Sequence, residues 1–181
     1  MPQQRETYPV LIGIAGPSGA GKTTVSERFI KASRRFGHVR LDDYFKSQKF
    51  FSKKAGYVNW EKPANFNFKK LYSDLKKLKA AASHKKYIFV EGFLLFKYPK
   101  IRKLLDYKVY FDLPQRLVIK RRRKRLGTNE LAQYDRMVTL PEFKKYGVMQ
   151  KKYANAIVRT DRPIYTVIKR VKKLLTDYVH Q

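Results

Sequence analysis

The stretch Val10-Leu11-Ile12-Gly13-Ile14-Ala15-Gly16-Pro17-Ser18-Gly19-Ala20-Gly21-Lys22-Thr23 decides the fold. Its apolar half, part of a run from Tyr8 to Ala15 rich in Val and Ile and closed by glycines, reads as a buried strand. Its second half matches G-x-x-x-x-G-K-[ST], and a helical pattern follows, so the motif sits in the strand–turn–helix context that its chemistry requires. The glycines let the backbone curl until its N–H groups converge on phosphate oxygens, and the helix N-terminus adds its dipole. Lys22 supplies a positive charge to β- and γ-phosphates, and Thr23 offers a hydroxyl to Mg²⁺. Gly16, Ser18, Gly19, Ala20, Gly21, Lys22, Thr23 and Thr24 form the expected nucleotide-binding set.

Outward from this motif the chain alternates strands and helices. Val25, Phe29, Ala32 and Phe36 recur at helical spacing, with Gly37 in the place of a left-handed C-terminal cap. Val39 to Leu41 is a short strand candidate, and 42–67 reads as a long substrate-binding loop. Leu71, Leu75, Leu78 and Ala82 mark one helix face, while Tyr87–Val90 and Val109–Leu113 are buried strands. Pro114 opens a helix that becomes strongly basic, 127–140 reads as a mobile connector, and Pro141 to Asn155 as a helix. Ala156–Arg159 is a last strand before a terminal helix capped by Asp161, with Pro163 in its first turn. Ile164, Val167, Ile168, Val171, Leu174, Leu175 and Tyr178 line one face of that helix. The expectation is one α/β domain over 1–181: a parallel sheet of about five strands, helices on both faces, and a mobile lid over about 121–140.

Composition fits a globular domain, with 43% hydrophobic and 31% charged residues among 181. No apolar run is long enough to span a membrane, and the N-terminus has no secretory h-region, so the expected location is cytoplasmic. Absence of cysteine excludes a disulfide scaffold, a thiolate metal site and a Cys nucleophile. The three histidines lack metal-ligand spacing and read as structural or surface residues. The net charge of +28 is spread evenly, +13 over 1–90 and +15 over 91–181, so no basic tail is attached to a neutral domain. Such a surplus, with aromatics interleaved among cations between Lys46 and Tyr57, keeps open a nucleic-acid-associated P-loop protein.

The scarce acids separate the classes better. Asp42 and Asp43 follow the second strand candidate, and in a parallel sheet neighbouring carboxyl ends share one crevice, so these carboxylates should face the P-loop. A carboxylate there can accept a proton from an attacking hydroxyl or hold a metal's water shell; the alternative is a pair of solvated loop acids. Glu91 ends a buried strand, where an acid is costly without a partner such as the Mg²⁺ at Thr23. Asp112 ends another strand, as a site acid or as a structural cap.

The P-loop, Asp42-Asp43-Tyr44-Phe45-Lys46, Trp60-Glu61-Lys62-Pro63 and Val90-Glu91-Gly92-Phe93-Leu94-Leu95-Phe96 together resemble the uridine kinase and nicotinamide riboside kinase group, more closely the latter, over about residues 8–178. The resemblance implies ATP- and Mg²⁺-dependent phosphorylation of a ribonucleoside 5′-hydroxyl on a P-loop kinase fold. It makes Asp42 the general base, with Lys22 on the phosphates and Thr23 and Glu91 organising Mg²⁺. It assigns Glu61, where relatives usually carry Asp, to the ribose hydroxyls, and Trp60, Tyr134 and more weakly Tyr57 to the acceptor ring. Asp43, Tyr44 and Lys46 join Asp42 in the expected acceptor set.

The run Lys120-Arg121-Arg122-Arg123-Lys124-Arg125 admits a nucleic-acid or nuclear-localisation patch, a solvated helix end, or a phosphate-clamping lid. The resemblance favours the lid. Arg122 and Arg125, three apart on one helix face, are then its phosphoryl contacts and Arg121 the alternate. The expected acceptor is nicotinamide riboside, then uridine or cytidine, then a metabolite that already carries phosphate.

Overall fold

The computed structural model describes residues 8–126 and 129–180, with the backbone alone at 125, 126, 129 and 130. Alternation along each strand builds two cores. In β1 (Val10–Ala15), Leu11 and Ala15 point to one side and Ile12 and Ile14 to the other. In β5 (Tyr87–Glu91), Ile88 and Val90 oppose Phe89; in β6 (Tyr107–Asp112), Tyr110 opposes Val109 and Phe111. A sheet apolar on both faces must be covered on both. Helices α2 (Phe68–Ala80) and α3 (Pro99–Leu104) cover one side. On the other lie α1 (Lys22–Ala32), α4 (Gln115–Leu126) and the C-terminal helix Ile164–Val179.

With β2 (Phe36–Arg40) and β7 (Ala156–Arg159), the main sheet has five strands in the order β2-β5-β1-β6-β7, all parallel. The register aligns Arg40 of β2 with Glu91 of β5, and Glu91 with Ile14 of β1, so three strands end at one crevice. Among the described residues no helix is long and apolar enough to cross a membrane.

Several local expectations are corrected. Gly37 lies inside β2, where an added Cβ would stand 3.2 Å from Ile88 Cγ1; α1 ends instead at Ala32, and Ser33 N–H donates to the Phe29 carbonyl. Asp161 does not cap the C-terminal helix but accepts from Arg159 at 2.6 Å. Leu78 is 36% exposed, and Ala82 lies beyond α2. The segment 42–67 is largely irregular, as expected, with 3-10 turns at 41–44, 48–50 and 63–65; only the short hairpin of β3 (Lys53–Lys54) and β4 (Tyr57–Val58) goes beyond the expectation. Within the supposed connector, α5 (Asn129–Tyr134) runs into a π-helical turn at Asp135–Thr139; Gly127 and Thr128 lie outside the described residues. The helix expected over 141–155 is present over 140–153 as contiguous α-, π- and 3-10 turns.

Leu75, fully buried where α2 meets the sheet and remote from the crevice, tests the core. Leu75→Ala is expected to cost about 2–5 kcal/mol through lost burial and a residual cavity. Urea unfolding reads it as a lower midpoint at unchanged slope.

Candidate active site

The P-loop turn depends on its glycines. Gly16, Gly19 and Gly21 have φ of 146°, 81° and 84°, a region that side chains disfavour, and a Cβ on Gly16 would strike the Phe111 carbonyl. Lys22 Nζ donates to the carbonyls of Gly16 and Pro17 at 3.0 Å each, which holds the loop around its own cation. Ala20 is buried and its N–H donates to the Pro17 carbonyl at 3.1 Å, so it closes the turn and does not face the cleft.

A cavity of about 270 Å³ opens above this loop, lined by Ser18, Gly19, Gly21, Lys22, Thr23, Thr24, Arg40, Asp42, Glu91, Gly92, Phe93 and Arg121. Thr23 Oγ1 donates to Glu91 Oε1 at 2.6 Å, and His38 Nε2 lies 3.2 Å from the same oxygen. Burial pushes the Glu91 carboxyl up, but the His38 and Thr23 contacts and the Lys22 charge outweigh it and leave the group below its ordinary value. Glu91 Oε2 is buried without a hydrogen-bond partner.

A second cavity, of about 300 Å³, is lined by Ser18, Asp42, Phe45, Trp60, Glu61, Phe93, Arg122, Leu131 and Tyr134. Ser18, Asp42 and Phe93 line both cavities, so Asp42 stands at their junction. It gets there because Leu41 is fully buried against Gly92, where any Cβ would overlap the Leu41 side chain. Water reaches Asp42 from the open cleft while protein surrounds it on the other sides. The resulting desolvation, helped by Glu91 and Asp43 and opposed by Lys22 and Arg40, raises its pKa above the ordinary 3.8.

In the second cavity Trp60 meets Phe45 and Phe51 edge-on, at 5.5 and 5.0 Å between ring centres. Tyr134 Oη accepts from the Trp60 N–H at 3.1 Å, and burial plus the nearby Glu61 charge push this phenol up to about 12. Glu61 is buried and its pKa is raised by that burial, against the pull of Arg122 and the Thr139 hydroxyl, which donates at 3.2 Å.

Of the expected residues, Asp42, Glu61, Trp60 and Tyr134 converge on one cavity, and Lys22, Thr23, Thr24, Glu91 and Arg121 on the other. Tyr57 lines neither; it meets Tyr134 edge-on at 5.8 Å and donates to Gln133. Tyr44 turns away to donate to Asp74 at 3.0 Å, Lys46 donates to the Ala64 carbonyl at 2.8 Å, and exposed Asp43 lines neither cavity. Arg121 reaches the Gly19 and Thr160 carbonyls at 3.2 and 2.7 Å. Arg122 lines the second cavity beside Ser18, but its guanidinium is tied up by protein: it is 7% exposed, donates to Asp135 at 2.7 Å and Thr139 at 3.2 Å, and approaches Glu61 at 3.9 Å. The side chain of Arg125 lies outside the described residues.

Sequence reasoning misses Arg40, which carries no motif signal, and Phe45 and Phe93, which lie inside quoted motifs without an assigned role; His38, expected to be structural or at the surface, touches Glu91. Its place in β2, the strand that leads into Asp42, is the one available hint.

Residues 12–139 match the AAA domain family. The uridine kinase of Borrelia duttonii is 29% identical over 199 residues, covering 92% of this chain and 96% of that one. The uridine kinase of Shewanella denitrificans is 30% identical over 184 residues, covering 82% and 86%. Among solved structures, shikimate kinase from Acinetobacter baumannii in complex with shikimate aligns with a TM-score of 0.61 at 19% identity over 95% of each chain. A possible uridine kinase from Bacillus stearothermophilus aligns with a TM-score of 0.59 at 16% identity, over 83% of this chain and 89% of that one. At these identities the solved structures share the fold alone. The family match and the uridine kinase relatives decide the class: the chain carries an AAA domain and belongs to the uridine kinase-like group of ATP-dependent P-loop kinases.

Proposed function

We propose that the protein transfers the γ-phosphoryl group of ATP to the 5′-hydroxyl of a ribonucleoside. Nicotinamide riboside is the first acceptor to test and uridine or cytidine the second; the names of the relatives speak for the second. The observation that carries the reading is Asp42 at the junction of a P-loop cavity and an aromatic-walled one. An acceptor hydroxyl above Asp42 would lie between its proton acceptor and the phosphoryl donor, so positioning and electrostatics supply most of the catalysis.

In this reading Lys22 and the P-loop N–H groups hold the β- and γ-phosphates, and Arg121 borders the same cavity. Asp42 orients the hydroxyl and takes its proton. Glu61 accepts from the ribose hydroxyls while the Trp60 and Tyr134 rings border the base. The residues present suit Mg²⁺: Thr23 Oγ1 and the unpartnered Glu91 Oε2 are hard oxygen donors beside the phosphate site. When bound, Mg²⁺ neutralises charge on the transferred group.

ATP consumption against a panel of nucleosides and related metabolites tests the proposal. Turnover of a ribonucleoside is the expected result, and no turnover on any of them overturns it. The raised pKa of Asp42 predicts a pH effect as well. The proton-accepting form is the carboxylate, so kcat/KM falls as pH drops through the Asp42 pKa, and this acid limb lies above the ordinary carboxylate value of 3.8. A pH–rate profile with no acid limb above that value contradicts the assignment.

A further inference from the structure

Behind the aromatic wall lies a polar cluster that no step of the chemistry uses. Asn59 is fully buried, yet each of its polar groups is satisfied. Its backbone N–H donates to the Ser52 carbonyl at 2.8 Å, and its backbone carbonyl accepts from Asn65 Nδ2 at 2.7 Å. Its Oδ1 accepts the Glu61 N–H at 3.0 Å and its Nδ2 donates to Glu142 Oε1 at 3.3 Å. The same Glu142 oxygen accepts from Lys54 Nζ at 2.7 Å, while Oε2 is buried without a partner. Glu142 itself is 4% exposed.

Burying a carboxylate whose one close ion pair is with a half-exposed lysine gains little stability, because desolvation offsets the attraction. What the arrangement does supply is direction. The carboxylate fixes which end of the Asn59 amide faces it, so the amide oxygen must face the Glu61 backbone. Glu142 follows the turn whose Asp135 and Thr139 hold Arg122, and Arg122 and Thr139 meet Glu61 from the other side. The Trp60–Glu61 dipeptide is thus clamped between Asn59 and Arg122, and both sides of the clamp are tied to residues 135–142.

We infer that Asn59 and Glu142 are positioning residues that set acceptor affinity by holding the Trp60–Glu61 wall, an inference that rests on the acceptor reading of that cavity. The Glu142→Ala variant is expected to raise the acceptor KM by about 10- to 100-fold, with the ATP KM essentially unchanged. Glu142→Gln keeps an oxygen for Lys54 and Asn59 and should recover most of the affinity. Trp60 is the sole tryptophan, so its fluorescence reports the wall directly, without any acceptor. Glu142→Ala should shift its emission and increase its quenching by acrylamide. If Glu142→Ala fails to fold, Asn59→Ser, which removes the amide oxygen that accepts the Glu61 N–H, should produce the same selective changes.

A folded variant with wild-type acceptor KM overturns the inference, as does unchanged Trp60 emission and quenching. The two failures are separable. Wild-type protein inert on every nucleoside sinks the acceptor reading, whereas active wild type with unaffected variants sinks only the positioning role.

Discussion

Asn in place of Asp42 is expected to lower kcat by about 10²–10⁴, the range that a positioned proton acceptor contributes. The substitution is nearly isosteric, so the two cavities that meet at this residue keep their shape. It removes one negative charge from a cleft that must take up a polyanion, so the ATP KM should hold or fall. An activity loss caused by poor donor binding would raise the ATP KM instead. The acid limb of the pH profile should disappear in the variant, because it belongs to the Asp42 carboxyl. An active Asp42→Asn enzyme with a wild-type pH profile assigns the proton to another group, and the exposed Asp43 is then the next candidate.

The second large effect belongs to Lys22. Lys22→Ala is expected to reduce kcat by about 10²–10³ or more, because the lost cation faces charge that builds up in transfer. Two P-loop carbonyls, of Gly16 and Pro17, lose their side-chain donor as well, so the loop should loosen and the ATP KM rise. The two effects together distinguish Lys22 from Asp42, whose loss lowers kcat without raising the ATP KM. Lys22→Arg should not rescue: its planar fork carries the charge but cannot replace a compact ammonium between two carbonyls 3.0 Å away. Steady-state kinetics with ATP and acceptor varied separately measure both constants.

How much of this could be read from the sequence follows the range of the interactions. Strands β1, β5, β6 and β7 and the C-terminal helix announce themselves because apolar residues at period two or near four are local signals. The P-loop was legible for the same reason, since its turn, cation and hydroxyl lie within eight residues. Helix α3 escaped because six residues that begin with Pro99 and carry three cations offer no apolar stripe of useful length. Gly37 looked like a cap because a small residue next to Ile88 and a small residue in a left-handed turn are identical in sequence. Arg122 was legible as a basic residue near the site but not in its direction, because Asp135 and Thr139 pull it from a turn that resembled a connector. The Asn59–Glu142 pair, 83 residues apart, leaves no local trace at all.

The position of β1 in the middle of the sheet has a consequence for biosynthesis. Its two partners are β5 and β6, so the Val10–Ala15 segment has no edge to pair with until residue 87 and beyond have been made. At the usual pace of translation the interval from Ala15 to Glu91 lasts roughly 4–15 s. During that time the nascent chain carries an unpaired, strongly apolar strand next to a finished phosphate-binding sequence. A ribosome-bound intermediate of this kind is a natural client for a holding chaperone, and slow codons placed before β5 would lengthen its exposure.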